Sequence, residues 1–162
     1  MSAKGLTRPE QAGWVRLASV LELLPGALDS QLRRDAGLMH FEYFVLAMLS
    51  EAPRRTLRMS QLAAQTNSTA ARLSHVVKRL EDRDLVERFP CPEDARATNA
   101  RLTAAGWRKV REAAPGHVAN VREMVIDALT AEQVGQLSEI AEAILGRLDP
   151  EGAMSGTYHR YD

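Results

Sequence analysis

Ser60-Gln-Leu-Ala-Ala-Gln-Thr66, then Asn67, then Ser68-Thr-Ala-Ala-Arg-Leu-Ser-His-Val-Val-Lys-Arg-Leu-Glu-Asp-Arg83 is the stretch that decides the fold. A seven-residue helical run, a polar break at Asn67 and a longer helical run ending near Arg83 have the grammar of a helix-turn-helix. At about 100° per residue, Ala70, Leu73, Val76, Val77 and Leu80 gather on one side of the longer helix and are expected to face a core. The other arc, with the residues that open the helix, carries Ser68, Thr69, Ala71, Arg72, His75, Lys78 and Arg79. Arg can grip guanine O6 and N7 with two hydrogen bonds, Ser can serve a base or a phosphate, and a small Ala lets the backbone approach. A solvated helix face of ordinary basic residues has the same composition, so position relative to the neighbouring elements has to discriminate. Leu85 to Cys91 and Ala97 to Leu102 read as two short strands around a turn at Pro92-Glu-Asp-Ala-Arg96. A hairpin directly after a helix-turn-helix makes a winged helix, and that placement favours a DNA-reading face.

Outward from this core the pattern is helical. Thr7-Arg-Pro-Glu10 has the form of a capping box, and Trp14, Leu17, Leu21, Leu24 and Leu28 follow with 3-4-3-4 spacing, although Pro25-Gly26 is expected to kink or break that helix. Phe41 to Ser50 is a second helix, ended by Ala52-Pro53. Beyond the hairpin, Thr103 is an N-cap for a helix through Trp107 and Val110, with an interruption expected at Pro115-Gly116 and renewed periodicity through Val118, Val121, Val125 and Ala128. Thr130-Ala-Glu-Gln133 is another capping box, ahead of Val134, Leu137, Ala141, Ile144 and Leu148. The expected architecture is therefore mainly α with a small β wing. It is one domain over residues 1–162, with a winged core at 54–111, dimerisation helices at 7–37 and 115–148, and a frayed tail at 149–162.

Charge supports this division. The chain of 162 residues carries 21 Lys+Arg and 21 Asp+Glu, for a formal charge of zero, yet thirteen basic residues face six acidic ones between Arg54 and Arg111. The middle third is +7 and the flanks are −7, which places a polyanion-binding surface in the winged core. At 45% apolar and 26% charged, the composition is that of an ordinary folded domain. No apolar window is long enough to span a membrane and Met1 to Glu10 lack a signal-peptide core, so a cytoplasmic protein without a membrane partner is expected. There is no glycine-rich phosphate loop and no nucleophile–base set, so an enzyme is not expected. Cys91 is the only cysteine, which excludes an intrachain disulfide. His40, His75, His117 and His159 share no ligand spacing, so neither a metal nor another cofactor is expected.

The run Ser68 to Arg88, followed by Pro92-Glu-Asp-Ala-Arg-Ala-Thr-Asn-Ala-Arg-Leu-Thr-Ala-Ala-Gly106, resembles the multiple-antibiotic-resistance regulator (MarR) family, and the likeness extends from the N-terminal helix to about Leu148. The resemblance implies a homodimeric winged-helix transcription regulator on a palindromic double-stranded DNA site, acting as a repressor released by a ligand. It also implies that Asp94 orients Arg96, and that Arg96 enters the minor groove beside the major groove occupied by the recognition helix. A carboxylate two residues away can fix a guanidinium fork, and a narrow minor groove attracts Arg. Where the family often has glycine at the end of the recognition helix, this chain has Asp84, so a strained or differently shaped helix end is expected. Some family members sense oxidants through a cysteine near the N-terminal helices, a place where this chain has none. Cys91 in the wing reads as a packed thiol or, on the other reading, a redox site. The family's small, often phenolic effector would meet Trp14, His40, Tyr43 and Phe44, residues that equally suit a core. A competing reading from another class is a winged protein-interaction module whose basic hairpin is merely solvated.

Overall fold

The computed structural model describes residues 5–162. Helix α1 (Arg8–Ala36) opens as the sequence predicts. Thr7 accepts a hydrogen bond from the Glu10 amide, and the Glu10 carboxylate accepts one from the Thr7 amide at 2.6 Å. Of the kink or break expected at Pro25-Gly26, the break does not occur: the helix continues through both residues. Proline removes one i→i−4 bond, but Pro25 and Gly26 are exposed, so water can serve the freed carbonyl while Leu32, fully buried, anchors the following turns. Gly37, at φ 63°, ends α1 by donating its N–H to Arg33 O.

Helix α2 (His40–Glu51) supplies the centre of the core with Val45, Leu46 and Leu49. A short 3₁₀ turn leads to strand β1 (Thr56–Arg58), then helix α3 (Met59–Gln65), helix α4 (Ala70–Asp82), strand β2 (Val86–Cys91) and strand β3 (Asp94–Leu102). The sheet is antiparallel in the order β1-β3-β2, with Thr56 opposite Arg101 and Val86 opposite Leu102. Strand β1 has no counterpart in the sequence reading, because three residues are too few for alternation to register. The wing turn is also tighter than expected: only Pro92 and Glu93 lie outside the strands, since β3 begins at Asp94.

Helix α5 (Ala104–Met124) starts at the predicted cap, Thr103, and passes through Pro115-Gly116 without the expected interruption. Pro115 is exposed, and a Cβ on Gly116 would sit 3.1 Å from the Gln31 amide nitrogen, so this glycine serves the close approach of α5 to α1. Helix α6 (Ala131–Leu148) has its capping box at Thr130 and Gln133. The expected frayed tail instead forms an ordered turn. Asp149 accepts from the amides of Ala153 and Met154, helix α7 (Ser155–Tyr158) follows, and Thr157 Oγ1 donates to Gln65 O at 2.9 Å. Polar hydrogen bonds, invisible to apolar periodicity, hold this segment against α3. Among the described residues no helix is long and apolar enough to cross a membrane.

Candidate nucleic-acid interface

Asn67, left-handed at φ 48°, turns the chain between α3 and α4, and Ser68 N–H closes the turn on Ala63 O at 2.9 Å. Thr69 is the N-cap of α4, accepting from the Arg72 amide at 3.1 Å, so its hydroxyl oxygen has a structural task. Leu73, Val76, Val77 and Leu80 face the core as predicted. Ala70, assigned to that face by periodicity, is exposed, because in the first turn of α4 the helix has not yet reached the packed layer.

Along the expected reading arc, Ala71, Arg72, His75 and Lys78 are exposed and Ser68 is half-buried. Their surroundings differ. The Arg72 guanidinium lies over the Phe41 ring at 4.0 Å, which holds it without consuming its hydrogen-bond donors. Lys78 pairs with Asp82 one turn later. Arg79, only half-exposed, points at the α1–α2 junction, with Nη2 3.4 Å from Glu42 Oε1.

In the wing, Asp94 Oδ1 accepts from the backbone N–H of Arg96 at 3.0 Å, so its carboxylate orders the turn, while the Arg96 side chain makes no ion pair among the described residues. The resemblance implied that Asp94 orients the Arg96 side chain; here it fixes the backbone that carries it. A cleft of about 350 Å³ separates wing and recognition helix, lined by Ser60, Ala70, Ser74, Arg88, Arg96 and Thr98. Arg88 spans its floor, donating to Glu81 at 2.6 Å and to Ser74 Oγ at 3.1 Å. It thereby fixes the wing relative to α4. Sequence counting registered Arg88 as positive charge only, and a tertiary ion pair between residues seven apart has no local signature.

Asp84 sits at φ 59°, the left-handed conformation its place after the recognition helix called for. Its carbonyl accepts from Thr103 Oγ1 at 2.6 Å, tying the end of α4 to the start of α5. Close by, a Cβ on Gly106 would fall 2.1 Å from Leu85 O, so only glycine permits this crossing. Cys91 is buried at the end of β2.

A second concavity, of about 400 Å³, lies between α2 and α5 and brings together His40, Tyr43 and Phe44 with His117, Arg160 and Tyr161. Trp14 is not among its lining residues; it is exposed on α1. The Tyr43 and His117 rings meet at a 46° tilt with 4.6 Å between centroids, and the His40 and His117 centroids are 6.3 Å apart. Burial pushes both histidines below the usual imidazole range, opposed for His40 by Asp29 and reinforced for His117 by His40. Burial also raises the Tyr43 phenol. His117 Nδ1 is buried without a hydrogen-bond partner among the described residues. The site is thus apolar and aromatic, with a few polar groups converging. Sequence reading missed His117, Arg160 and Tyr161, which reach it only through tertiary packing. Among the described residues no cluster of three metal-ligating side chains occurs.

A family model described as MarR family matches residues 38–98. The chain is 44% identical to Sco3205, a MarR family transcriptional regulator from Streptomyces coelicolor solved in complex with DNA; the match covers 92% of this chain and 93% of that one at a TM-score of 0.88. It is 37% identical to AbsC, a MarR family transcriptional regulator of the same organism, over 90% of this chain and 98% of that one, with a TM-score of 0.86. The HTH-type transcriptional regulator MhqR of Bacillus subtilis (strain 168) is 29% identical over 108 residues, 67% of this chain and 72% of the relative.

Proposed function

This chain belongs to the MarR family of transcriptional regulators, and on that premise we propose that it binds a palindromic site on double-stranded DNA as a homodimer and represses transcription until an effector releases it. The observation that carries the reading is the pairing of the exposed first half of α4 with a wing whose Arg96 side chain has no carboxylate partner among the described residues, on a chain 44% identical to a regulator solved with DNA. Ser68, Ala71, Arg72 and His75 meet base edges or adjacent phosphates in the major groove. Thr69 keeps the helix start in register, and Lys78 exchanges its exposed partner Asp82 for a phosphate at little cost. Arg96, on a turn fixed by Asp94, enters the minor groove. A two-fold dimer sets its recognition helices roughly 34 Å apart, one turn of duplex, which is why the site is palindromic. Duplex DNA as partner puts the protein in the cytoplasm.

Selection of bound sequences from random duplex DNA tests the reading: an inverted repeat is expected, and recovery of no repeat removes it. A protein-docking winged helix is separated by salt, because phosphate binding weakens steeply as salt rises and an apolar dock barely responds.

The cavity at His40, Tyr43 and Phe44 supports a small aromatic effector, since it offers aromatic walls and Arg160 at its margin. Such a molecule must favour the form that does not bind DNA. A panel of phenolic acids that changes neither thermal stability nor operator affinity overturns this part alone.

A further inference from the structure

We propose that Glu42 is a specificity-determining residue that acts by position: its buried carboxylate withholds Arg79 and Arg83 from DNA phosphates and so suppresses sequence-independent binding. The proposal rests on the DNA-binding reading above and goes beyond it.

Arg72 and Arg79 are seven residues apart, two helical turns, so they share one stripe of α4; Arg83 follows one turn later at the helix end. This stripe lies against the α1–α2 junction. Glu42 is buried there, with its side chain 7% exposed, while Arg79 and Arg83 are each 39% exposed at the mouth. Arg79 Nη2 stands 3.4 Å from Glu42 Oε1 and Arg83 Nη1 3.8 Å from Glu42 Oε2. Arg83 Nη1 also donates to Gly37 O at 3.1 Å. The carboxylate itself cannot follow the guanidiniums outward, because Oε2 accepts the Met39 amide at 2.8 Å and caps α2.

The energetic consequence is asymmetric. A phosphate that captured Arg79 or Arg83 would weaken the pairing of a buried carboxylate, a costly state, whereas Lys78 gives up only an exposed Asp82. Two of the recognition helix's cations are thus reserved for the protein. Phosphate contacts strengthen binding to every sequence alike, so reserving them lowers the background against which the operator is read.

The test uses the full-length chain, titrated against its selected operator and against a random duplex between 50 and 200 mM salt. Each cation newly placed on a phosphate steepens the log–log salt slope by about 0.9. Glu42→Gln keeps an acceptor for the Met39 amide and removes the charge. It is expected to steepen the slope by about one to two units and to raise random-duplex affinity more than operator affinity. Arg79→Gln in the wild type should leave the slope unchanged, and in the Glu42→Gln background should reverse part of the increase. An unchanged slope in Glu42→Gln overturns the proposal, and so does a shallower slope in Arg79→Gln alone. If Glu42→Gln does not fold, Arg79→Gln and Arg83→Gln, each made in the wild type, decide by the same criterion. A wild-type chain that holds no duplex defeats the DNA reading and this proposal together. A wild type that binds with salt dependence while Glu42→Gln behaves identically defeats the proposal only.

Discussion

Helices α4 and α6 carry apolar rows of the same periodicity and end in opposite environments. In α4, Leu73, Val76, Val77 and Leu80 are buried within one protomer. In α6 no residue is buried, and Val134, Leu137, Ile140, Ile144 and Leu148 lie open, with Leu148 76% exposed. The N-terminal part of α1 behaves like α6, exposing Trp14, Val20, Leu21 and Leu23. An amphipathic period therefore states that a face must be covered without stating by which chain. Exposed apolar rows of this kind are what an interface would cover, and a second copy of the chain is the cover the proposed dimer supplies.

The contrast breaks if both faces respond alike to substitution. Leu137→Glu with Ile144→Glu should convert the proposed dimer to monomer. At ~1.5–3 kcal/mol for each apolar side chain covered, two positions on both protomers remove ~6–12 kcal/mol from the seam. Sedimentation at micromolar concentration reads the result, and a persisting dimer would show that α6 is covered otherwise. Leu73→Ala should instead cost ~2–5 kcal/mol of folding stability, the range for a buried leucine, and this loss should not depend on protein concentration.

Arg96→Ala should weaken operator binding by ~1–3 kcal/mol and leave the melting temperature unchanged, since the side chain is exposed and makes no ion pair among the described residues. Unchanged affinity in a mobility-shift titration removes the wing from the interface. Arg72→Ala should differ in kind, because a base-reading side chain costs discrimination between operator variants. An equal loss on every variant would make Arg72 a phosphate contact.

The cavity between α2 and α5 gives a smaller and pH-dependent effect. His40 and His117 have folded pKa values lowered by burial, so the unfolded chain binds protons first as pH falls below the usual imidazole value. Their contribution is fully present above about pH 6.5 and is lost below it, by at most ~1.4 kcal/mol per histidine per pH unit, until the folded pKa is reached. Chemical denaturation at pH 7.5 and 5.5 should show this loss, reduced in His117→Gln. An undiminished loss in the variant would clear His117.

The smallest expected change is Asp84→Gly. Relief of the left-handed residue, partly offset by a more flexible unfolded chain, should add about 0.5 kcal/mol to stability. A lower melting temperature would mean that the Asp84 side chain contributes more than its backbone strain costs.

The helix-turn-helix, the hairpin and the capping boxes were legible because each is specified within a few residues. Leu73 to Leu80 reports a buried face, Thr7 and Thr130 report helix starts, and Asp84 signalled its own strained position. The recognition arc was legible as composition but not as availability. Arg72, Lys78 and Arg79 look equivalent along the sequence, yet one stacks on Phe41, one pairs with exposed Asp82 and one faces buried Glu42. The sequence by itself determined the winged helix and the location of its positive charge, because periodicity, capping and turn chemistry are local, and the run from Ser68 to Gly106 carried the family resemblance. Only the tertiary structure decided that Pro25 and Pro115 remain inside helices, that Thr157 bonds the end of α3, that His117 joins Tyr43, and that Arg79 and Arg88 face carboxylates. Those outcomes depend on which solvent, backbone or carboxylate meets each group across the fold, and contacts between residues distant in the chain leave no trace in local spacing.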